Sequence, residues 1–209
     1  LEHQFLAGER SDPPTSDWTG ALLGVPVVDN WWQTETGSPM CSNLMGVEPL
    51  PMKAGSVTHA SCGWDVQVLS DAGEPVREDE IGNIVIKLPL PPGAFATLWN
   101  NHERYLSSYM EAFPGYYQTG DAGLIDADGY VHIMARTDDV INVAGHRLST
   151  GQLEEILTGH EDIAECAVVG VADALKGQLP LGLMVLNAGC TRSETDVAAE
   201  RSEERRVGK

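Results

Sequence analysis

The apolar residues of this chain fall into short runs, and residues that favour turns separate one run from the next. Runs of about four to eight residues predict β-strands, because a helix repeats its apolar residues every three to four positions over a longer stretch. Within residues 124–133, the pair Asp128-Gly129 suits the tight turn of a hairpin. The pattern therefore predicts an α/β fold, α+β in parts. The other predicted strands cover residues 21–29, 64–68, 84–88, 140–143, 164–171 and 181–186.

One helix is predicted among these strands. Ser149 and Gln152 resemble a capping box, in which side chains satisfy backbone N–H groups at the start of a helix. Apolar residues then recur at helical spacing, and the helix ends near residues 159–160. A β-rich region precedes this unit, so we expect a domain boundary near Asp138-Asp139. The apolar residues of the helix face are Leu153, Ile156 and Leu157.

The charge of the chain restricts its partners. Its 209 residues include 31 acidic and 13 basic side chains, a formal net charge of −18. Nucleic acid and anionic membranes would be repelled, so we expect neither as a partner. Small phosphate ligands remain open, because a few local arginines and backbone N–H groups can hold them. The cysteines are too dispersed for a zinc or disulfide framework, which favours thiols in a reducing compartment. They are Cys41, Cys62, Cys166 and Cys190.

Both ends of the sequence predict a piece of a longer protein. Leu1 follows neither an initiator methionine nor a signal peptide, so we expect the native N-terminus to be missing. The composition changes abruptly at residues 201–209, which read RSEERRVGK. We expect this segment to be a non-native tail derived from a sequencing adapter, with a solvated basic tail as the alternative.

The string WWQTETG, at residues 31–37, is the most specific in the chain. Two adjacent tryptophans cannot both lie buried on one face of a strand, so we expect one to pack inward and the other to line a pocket. Thr34 and Thr36 offer hydroxyl groups, and Glu35 offers a carboxylate that can hold Mg²⁺ beside phosphates. The alternative is an aromatic core cluster followed by a polar turn.

Two further strings carry candidate ligand contacts. Asp121 ends a Gln-Thr-Gly-Asp string, and its two oxygens can accept hydrogen bonds from the adjacent hydroxyls of a ribose. Arg136 lies at the far end of the following hairpin and can complete that contact. Arg147 follows Gly145, where a backbone can approach closely, and suits a bidentate phosphate contact. The alternatives are an ordinary turn at Asp121 and a surface ion pair at Arg147.

Three strings, in this order and separation, resemble motifs of the adenylate-forming acyl-CoA synthetases, in particular the acetyl- and propionyl-CoA branch. They read WWQTETG, YYQTGDAG and RTDDVINVAGHRLS. The resemblance covers residues 4–190, and the string ADALKGQLPL makes it closest to short-chain, propionate-preferring members. It implies that residues 1–137 are the C-terminal part of the large domain, with its β-rich subdomain. Residues 138–200 are then an incomplete small mobile domain that follows a hinge at Asp138.

The resemblance implies a two-step reaction. Such enzymes activate a carboxylate with ATP to an acyl-adenylate and pyrophosphate, then pass the acyl group to CoA and release AMP. ATP or AMP, Mg²⁺ and CoA are the implied cofactors, and acetate or propionate is the implied acid. By matching motifs, the implied ATP/AMP-binding residues are Gly8, Glu9, Arg10, Asp29, Asn30, Trp31, Trp32, Gln33, Thr34, Asp121, Arg136 and Arg147.

The remaining roles also follow from the resemblance. Trp32 closes the acyl pocket, so long acids should clash with its indole. Glu35 coordinates Mg²⁺, and Ala144 and Gly145 lie beside CoA. A structural cation is implied at Thr158, His160 and Ile163, with a partner of the helix dipole as the other interpretation of His160.

Three residues depart from the family pattern. Arg10 replaces a proline, Ala144 replaces a serine, and Asn30 stands where the acetate enzymes have threonine. The last departure favours propionate. The family's Ser/Thr/Gly-rich phosphate loop and its adenylation lysine do not occur in these residues, so we expect the chain alone to be inactive.

Two alternatives stay open: another adenylate-forming ligase, and a non-catalytic module that binds nucleotide or CoA. Oligomeric state is not predicted. Relatives of the propionate type suggest the mitochondrial matrix in a eukaryote and the cytoplasm in a bacterium.

Overall fold

The computed structural model describes residues 1–8, 13–193 and 195–197. The chain divides into two compact units, of which the first ends at Asp138 and the second begins at Asp139. Glu9, Arg10 and the predicted adapter-derived tail at 201–209 lie outside the described residues. No helix in the described ranges is long and apolar enough to span a membrane.

The first unit begins with a small three-stranded sheet. Strand β2 lies in its centre, with β1 parallel on one side and β3 antiparallel on the other. A parallel pair needs a crossover connection, and the first helix supplies it. The elements are β1 (Gln4–Leu6), α1 (Pro13–Leu23), β2 (Val27–Trp31) and β3 (Cys41–Ser42).

The strand predicted at residues 21–29 is wrong in its first half. The helix α1 continues to Leu23, and Gly24 then takes a left-handed conformation with φ 65°. Its N–H donates to the carbonyl of Gly20 at 2.9 Å, which ends the helix as C-terminal glycines often do. One apolar run therefore contains a helix end, a turn and a strand that begins at Val27.

A four-stranded antiparallel sheet forms the rest of the first unit, in the order β4-β5-β6-β7. The strands predicted at 64–68 and 84–88 and the hairpin at 124–133 are confirmed, with Gly129 at φ 84° in the hairpin turn. The helix α2 was not predicted, because it is short and buries only Tyr105. The elements are β4 (Val66–Leu69), β5 (Gly82–Lys87), α2 (His102–Tyr109), β6 (Tyr116–Ile125) and β7 (Val131–Arg136).

The main core of the first unit lies between the two sheets. Trp31 and Cys41 from the small sheet pack with Ile84, Ile86 and Tyr117 from the large sheet in one buried cluster. Burial of such side chains is the main favourable contribution to folding, at roughly 25 cal/mol per Å² of apolar surface. This core therefore fixes the start of the WWQTETG string against β6.

The second unit contains a four-stranded antiparallel sheet, in the order β10-β11-β8-β9, and the helix α3. The predicted helix is confirmed: Ser149 Oγ accepts from the N–H of Gln152 at 3.2 Å, and Gly159 caps the other end. The strands predicted at 164–171 and 181–186 are longer than predicted, because the first continues to Asp173 and the second begins at Gly177. The elements are β8 (Ile141–Val143), β9 (His146–Leu148), α3 (Thr150–Thr158), β10 (Ile163–Asp173) and β11 (Gly177–Leu186).

Candidate functional site

Three separate segments of the first unit meet at the carboxylate of Asp121. The Oδ2 atom accepts hydrogen bonds from Trp31 Nε1 at 3.0 Å and from Gln33 Nε2 at 2.7 Å. The Oδ1 atom accepts from Arg136 Nη1 at 2.9 Å. The structure therefore brings together residues of WWQTETG, of YYQTGDAG and of the end of the hairpin.

The backbone of β6 explains how Asp121 reaches this position. Asp121 lies opposite Arg136 in the β6–β7 pair, and the register shifts between Ala122 and Gly123. Such bulges redirect side chains and occur often beside functional sites. Gly120 has φ 74°, and the guanidinium of Arg136 lies 2.5 Å from the place where a Cβ at residue 120 would be. A side chain at residue 120 would strain this backbone conformation, and its Cβ would displace the guanidinium of Arg136, so both features favour glycine.

The environment of Asp121 is buried but polar. Burial raises the pKa of its carboxyl, and Arg136, Trp31 and Gln33 act in the opposite direction. A carboxylate offers about four acceptor positions, and three are occupied by these side chains. The remaining capacity lies at Oδ1, beside the half-exposed side chain of Arg136. A hydroxyl group could therefore bind there from solvent.

Gln33 belongs to the support of Asp121. Its Nε2 donates to Asp121 and to the carbonyl of Thr119 at 2.8 Å, so both amide hydrogens have protein partners. Its Oε1 accepts from the hydroxyl of Tyr117 at 2.7 Å. Thr36 holds the loop itself, because its Oγ1 accepts from the N–H of Gln33 at 3.0 Å. The predicted nucleotide contact of Gln33 stays a prediction.

The two adjacent tryptophans point into different surroundings, as predicted. Trp31 is buried in β2, whereas Trp32, just after the strand, is 47% exposed. The indole of Trp32 is thus accessible to a ligand, and its role as the acyl-pocket wall stays a prediction. Thr34, which follows it, is also exposed.

Within the described part of the chain, only one of the two carboxylate oxygens of Glu35 accepts a hydrogen bond. Its Oε1 accepts from the hydroxyl of Tyr109, on α2, at 3.0 Å, and its backbone carbonyl accepts from the N–H of Phe95 at 2.9 Å. Burial raises the pKa of the Tyr109 hydroxyl, which keeps that group a donor. Its Oε2 accepts no hydrogen bond from the described part of the chain.

The donor set at Glu35 fits magnesium bound with phosphates. The described residues contain no group of three or more His, Cys, Asp or Glu side chains that could hold a metal ion. Magnesium with nucleotides commonly uses only one or two carboxylates, with phosphate oxygens and water as the other ligands. A single half-buried carboxylate with one available oxygen meets that requirement.

Asp29 and Asn30 are not among the side chains that bond to Asp121 in the described part of the chain. Asn30 Nδ2 donates to the carbonyl of Leu6 at 2.7 Å, so this side chain joins β2 to β1. Asp29 lines a cavity of about 370 Å³ between α1, β2 and residues 52–58. Gly8, the last described residue before the gap at 9–12, has φ 114°. These three predicted nucleotide contacts stay predictions.

In the second unit, Ala144 and Gly145 form the exposed turn between β8 and β9. Both have positive φ, at 50° and 87°, which is the pattern of a tight hairpin turn. Arg147 lies on β9 opposite Asn142 and is half-buried. The exposed backbone of this turn suits the close approach of a ligand, and the CoA and phosphate contacts stay predictions.

The predicted cation residues surround the end of α3. Thr158 Oγ1 donates to the carbonyl of Glu154 at 2.9 Å, and His160 Nδ1 accepts from the N–H of Asp162 at 3.1 Å. The carbonyl of His160 accepts from the N–H of Ile163 at 3.0 Å. These side-chain atoms are thus used within the protein, and a cation here would depend on the second lone pairs of backbone carbonyls.

Asp138 is exposed in the turn after β7, where the first unit ends. Its hinge role stays a prediction. Sequence reasoning missed Tyr109, Tyr117 and Thr119 as members of the site. The last two lie inside the YYQTGDAG string, which offered a signal, whereas nothing in the sequence connected Tyr109 with Glu35.

A second polar cluster was also missed. Asp126 accepts from Lys53, from His132 Nε2 at 3.2 Å, and from the N–H groups of Asp128 and Tyr130. Burial raises the pKa of the Asp126 carboxyl, but these hydrogen bonds outweigh it and hold the pKa below its ordinary value. The cluster ties residues 52–58 to the β6–β7 hairpin, and we assign it to structure.

Comparison with known proteins shows what this chain is similar to. Residues 152–206 match the family model described as AMP-binding enzyme C-terminal domain. The chain is 48% identical over 200 residues to the mouse mitochondrial acyl-CoA synthetase short-chain family member 3, covering 94% of this chain and 29% of that relative. It is 44% identical over 200 residues to propionate–CoA ligase of Escherichia coli, covering 95% of this chain and 32% of that relative.

A solved structure shows the same fold. The crystal structure of an anthranilate CoA ligase in complex with anthranoyl-AMP matches with a TM-score of 0.78 and 26% identity, covering 97% of this chain and 38% of that chain. The resemblance stated from the sequence motifs is confirmed, as is the α/β fold class. The chain spans about 30% of the length of the curated relatives named above.

Proposed function

We propose that this chain supplies one side of the AMP site of an acid–thiol ligase. The premise is that the chain is homologous to part of the short-chain acyl-CoA synthetases and carries their AMP-binding C-terminal domain. The carrying observation is the convergence of Trp31, Gln33 and Arg136 on Asp121. Three segments that are distant in sequence hold one buried carboxylate, whose Oδ1 atom lies beside the half-exposed side chain of Arg136.

Ribose is the ligand that Asp121 and Arg136 suit best. Vicinal hydroxyl groups donate to carboxylate oxygens, and hydrogen bonds to an ionised partner contribute about 1.5–3 kcal/mol. Arg136 already donates to Asp121, and its side chain is half-exposed, so it can also donate to a hydroxyl oxygen. We propose that these two residues bind the 2′- and 3′-hydroxyls.

Glu35 is proposed to hold magnesium beside the phosphates. Magnesium held there would supply positive charge that offsets the charge on the phosphates when a short acid's carboxylate attacks the α-phosphorus and pyrophosphate leaves. Glu35 would bind it through Oε2, because Oε1 accepts from Tyr109. Asp121 meanwhile fixes the ribose, which orients the α-phosphorus for in-line attack.

Trp32 is proposed to limit the length of the acid. Its exposed indole follows β2 directly, so its backbone is held by the core while its ring faces outward. A ring of that size leaves room for a two- or three-carbon acid. We propose propionate as the preferred acid, because the name of the E. coli relative specifies it and because Asn30 departs from the acetate pattern.

The second unit is proposed to serve the second step, in which the CoA thiol attacks the acyl carbonyl and AMP leaves. The exposed turn at Ala144 and Gly145 would lie beside CoA, Arg147 would contact phosphate, and Asp138 would act as the hinge. The cation at Thr158, His160 and Ile163 belongs to this proposal. The compartment would be the mitochondrial matrix in a eukaryote and the cytoplasm in a bacterium.

The test is whether this chain recognises the diol of AMP. Calorimetric titration should give AMP at least about tenfold higher affinity than 2′,3′-dideoxy-AMP, as expected for hydrogen bonds to a charged group. Asp121→Asn should remove that preference. The matched control is Glu78→Gln, which changes an exposed carboxylate elsewhere in the same unit. Equal affinity for both nucleotides in the unaltered chain would overturn the assignment.

A separate assay, the exchange of pyrophosphate into ATP, tests turnover. Because the family's phosphate loop and lysine do not occur in these 209 residues, we expect this chain alone to bind AMP without exchanging pyrophosphate into ATP. Pyrophosphate exchange by the chain alone would contradict that expectation.

A further inference from the structure

We propose that Tyr109 and Tyr117 are positioning residues for the two carboxylates of this site: Tyr109 holds Glu35 directly, and Tyr117 holds Asp121 through Gln33. The inference rests on the proposed function, because it takes Glu35 as the magnesium ligand and Asp121 as the ribose ligand. Neither tyrosine would contact the nucleotide. Each would act by limiting the directions in which its carboxylate can point.

Tyr109 acts on Glu35 through one hydrogen bond, of 3.0 Å, to Oε1. A glutamate side chain has three rotatable bonds, and fixing it on binding costs the free energy of its lost rotamer freedom. The tyrosine fixes it before a ligand arrives. It also occupies Oε1, which leaves Oε2 as the atom available to a metal ion. A one-sided anchor of this kind favours monodentate coordination.

Tyr117 acts on Asp121 through the amide of Gln33. The amide faces two acceptors on one side, Thr119 O and Asp121 Oδ2, and the Tyr117 hydroxyl on the other. Only one amide orientation satisfies all three partners, with Nε2 toward the carboxylate and Oε1 toward the hydroxyl. The two acceptors select this orientation, and the Tyr117 hydroxyl stabilises it by donating to Oε1. The amide held in this way donates to Oδ2 and so limits the rotation of Asp121.

The two tyrosines form one aromatic unit. Their rings are stacked at 13°, with centroids 5.7 Å apart, although one lies on α2 and the other on β6. The ring of Phe95 contacts both edge-on, at 5.0 Å and 6.0 Å, and its backbone N–H donates to the carbonyl of Glu35. The two carboxylates are thus supported by the same rigid packing but through different hydroxyl groups.

This arrangement predicts that the two hydroxyls control different parts of the ligand. Removing the Tyr109 hydroxyl should weaken the gain in affinity that magnesium brings to ADP, because only the metal ligand is released. Removing the Tyr117 hydroxyl should weaken the preference for a ribose diol, because only Asp121 is released. A residue that merely stabilised the fold would reduce both quantities together.

The experiment measures two ratios on the full chain: the affinity for ADP with Mg²⁺ over that without it, and the affinity for AMP over that for 2′,3′-dideoxy-AMP. Tyr109→Phe should lower the first ratio at least about threefold and leave the second within twofold. Tyr117→Phe should do the reverse. Thermal unfolding of each variant shows whether it is folded. Gln33→Met removes the amide through which Tyr117 acts on Asp121, so it is a second variant that tests the role of Tyr117.

Two matched controls separate hydroxyl effects from general effects of the substitution. Tyr105 lies on α2 with Tyr109 and packs on Phe95, so Tyr105→Phe tests the helix and the aromatic packing. Tyr116 precedes Tyr117 on β6, and its hydroxyl bonds to Gln67 away from the site. Both controls should leave both ratios unchanged.

The outcomes separate this inference from the proposed function. Glu35→Gln and Asp121→Asn should abolish the magnesium gain and the diol preference respectively. If they do, while the tyrosine variants equal the unaltered chain or lower both ratios together, the positioning inference is wrong and the proposed function stands. If they do not, or if the unaltered chain shows neither ratio above one, the proposed function is wrong and the inference falls with it.

Discussion

At residue 120, both the backbone conformation and the space taken by a neighbouring side chain favour glycine. Gly120 takes φ 74°, and the guanidinium of Arg136 fills the space beside its Cα. We expect Gly120→Ala to cost about 1–2 kcal/mol of unfolding free energy from the left-handed backbone alone. It should also displace Arg136 from Asp121 and reduce the preference for AMP over 2′,3′-dideoxy-AMP.

Urea unfolding and nucleotide titration measure the two effects of Gly120→Ala. Gly115 is the matched control, because it has φ 90° but no atom near its missing Cβ, so Gly115→Ala should lose stability without losing the diol preference. A Gly120→Ala chain that keeps the preference would show that the Arg136–Asp121 pair does not set it.

At Asp121, we expect ligand binding and fold stability to make opposite demands on the charge of the carboxyl group. Burial raises the pKa of its carboxyl, so the folded chain favours the neutral form more than the unfolded chain does. The stabilising contribution of the neutral form is present below the ordinary aspartate pKa, about 3.9, and is lost as the pH rises through the folded-state value. Asp121→Asn, which stays neutral, should therefore gain stability relative to the unaltered chain between pH 4 and pH 7.

Urea unfolding at both pH values tests this opposition, with the exposed Glu78→Gln as control. The variant should lose the diol preference while its relative stability rises with pH. A relative stability that falls as the pH rises would mean that Arg136, Trp31 and Gln33 favour the charged form by more than burial opposes it.

Among the elements, the hairpin of β8 and β9 carries an avoidable strain. Ala144 occupies a left-handed position, φ 50°, which costs a residue with a Cβ about 1–2 kcal/mol. Glycine relieves this strain, but it also has a greater conformational entropy in the unfolded chain, which offsets part of the gain. Ala144→Gly should therefore stabilise the second unit by about 0.5–1 kcal/mol. Thermal unfolding measures the change.

The control for this element is Ala112→Gly, at an exposed alanine that is not among the residues with positive φ. That substitution should leave the melting temperature unchanged or lower it. If Ala144→Gly lowers it as well, the turn does not have the conformation described here.

The elements also show what a single sequence can predict. The hairpin at 124–133 and the helix after Ser149 were predicted correctly, because Asp128-Gly129 and the cap at Ser149 are local signals that survive in the fold. The run at 21–29 was assigned wrongly, because hydrophobicity does not distinguish the last turn of a helix from a strand. In α2, one buried residue gave too little periodicity to predict.

The site residues also separate into those that the sequence could predict and those that it could not. Asp121 and Arg136 were predicted together, because a hairpin places residues of its two strands opposite each other. Tyr109 lies 74 residues from Glu35, and its partnership depends on how α2 packs on β6. Such a contact is set by tertiary packing and leaves no local pattern in the sequence.

For the whole molecule, the division into two units predicts where the folded chain is cleaved. The units meet in sequence at Asp138 and Asp139, and both residues are exposed in a turn. A protease that cleaves before aspartate should therefore cut there first under native conditions. Mass spectrometry identifies the products, and early cleavage within β4–β7 would contradict the division.

An exposed apolar surface affects how the whole molecule behaves in solution. The face of β10 and β11 that is marked by Val169, Leu181, Leu183 and Val185 is exposed, and α3 packs on β10 within the same unit. Exposed patches of this kind promote association, which the net charge of −18 opposes at low ionic strength. We therefore expect association of this chain to increase with ionic strength.

The most direct test of the account is an NMR titration that observes the five tryptophan indole N–H groups. Only the indole of Trp31 donates to Asp121, among the described residues. We predict that AMP shifts the Trp31 indole signal, assigned with Trp31→Phe, while 2′,3′-dideoxy-AMP shifts it much less and the exposed Trp99 stays unchanged. A Trp31 signal that does not move with AMP, or that moves equally with both nucleotides, would contradict a ribose site at Asp121.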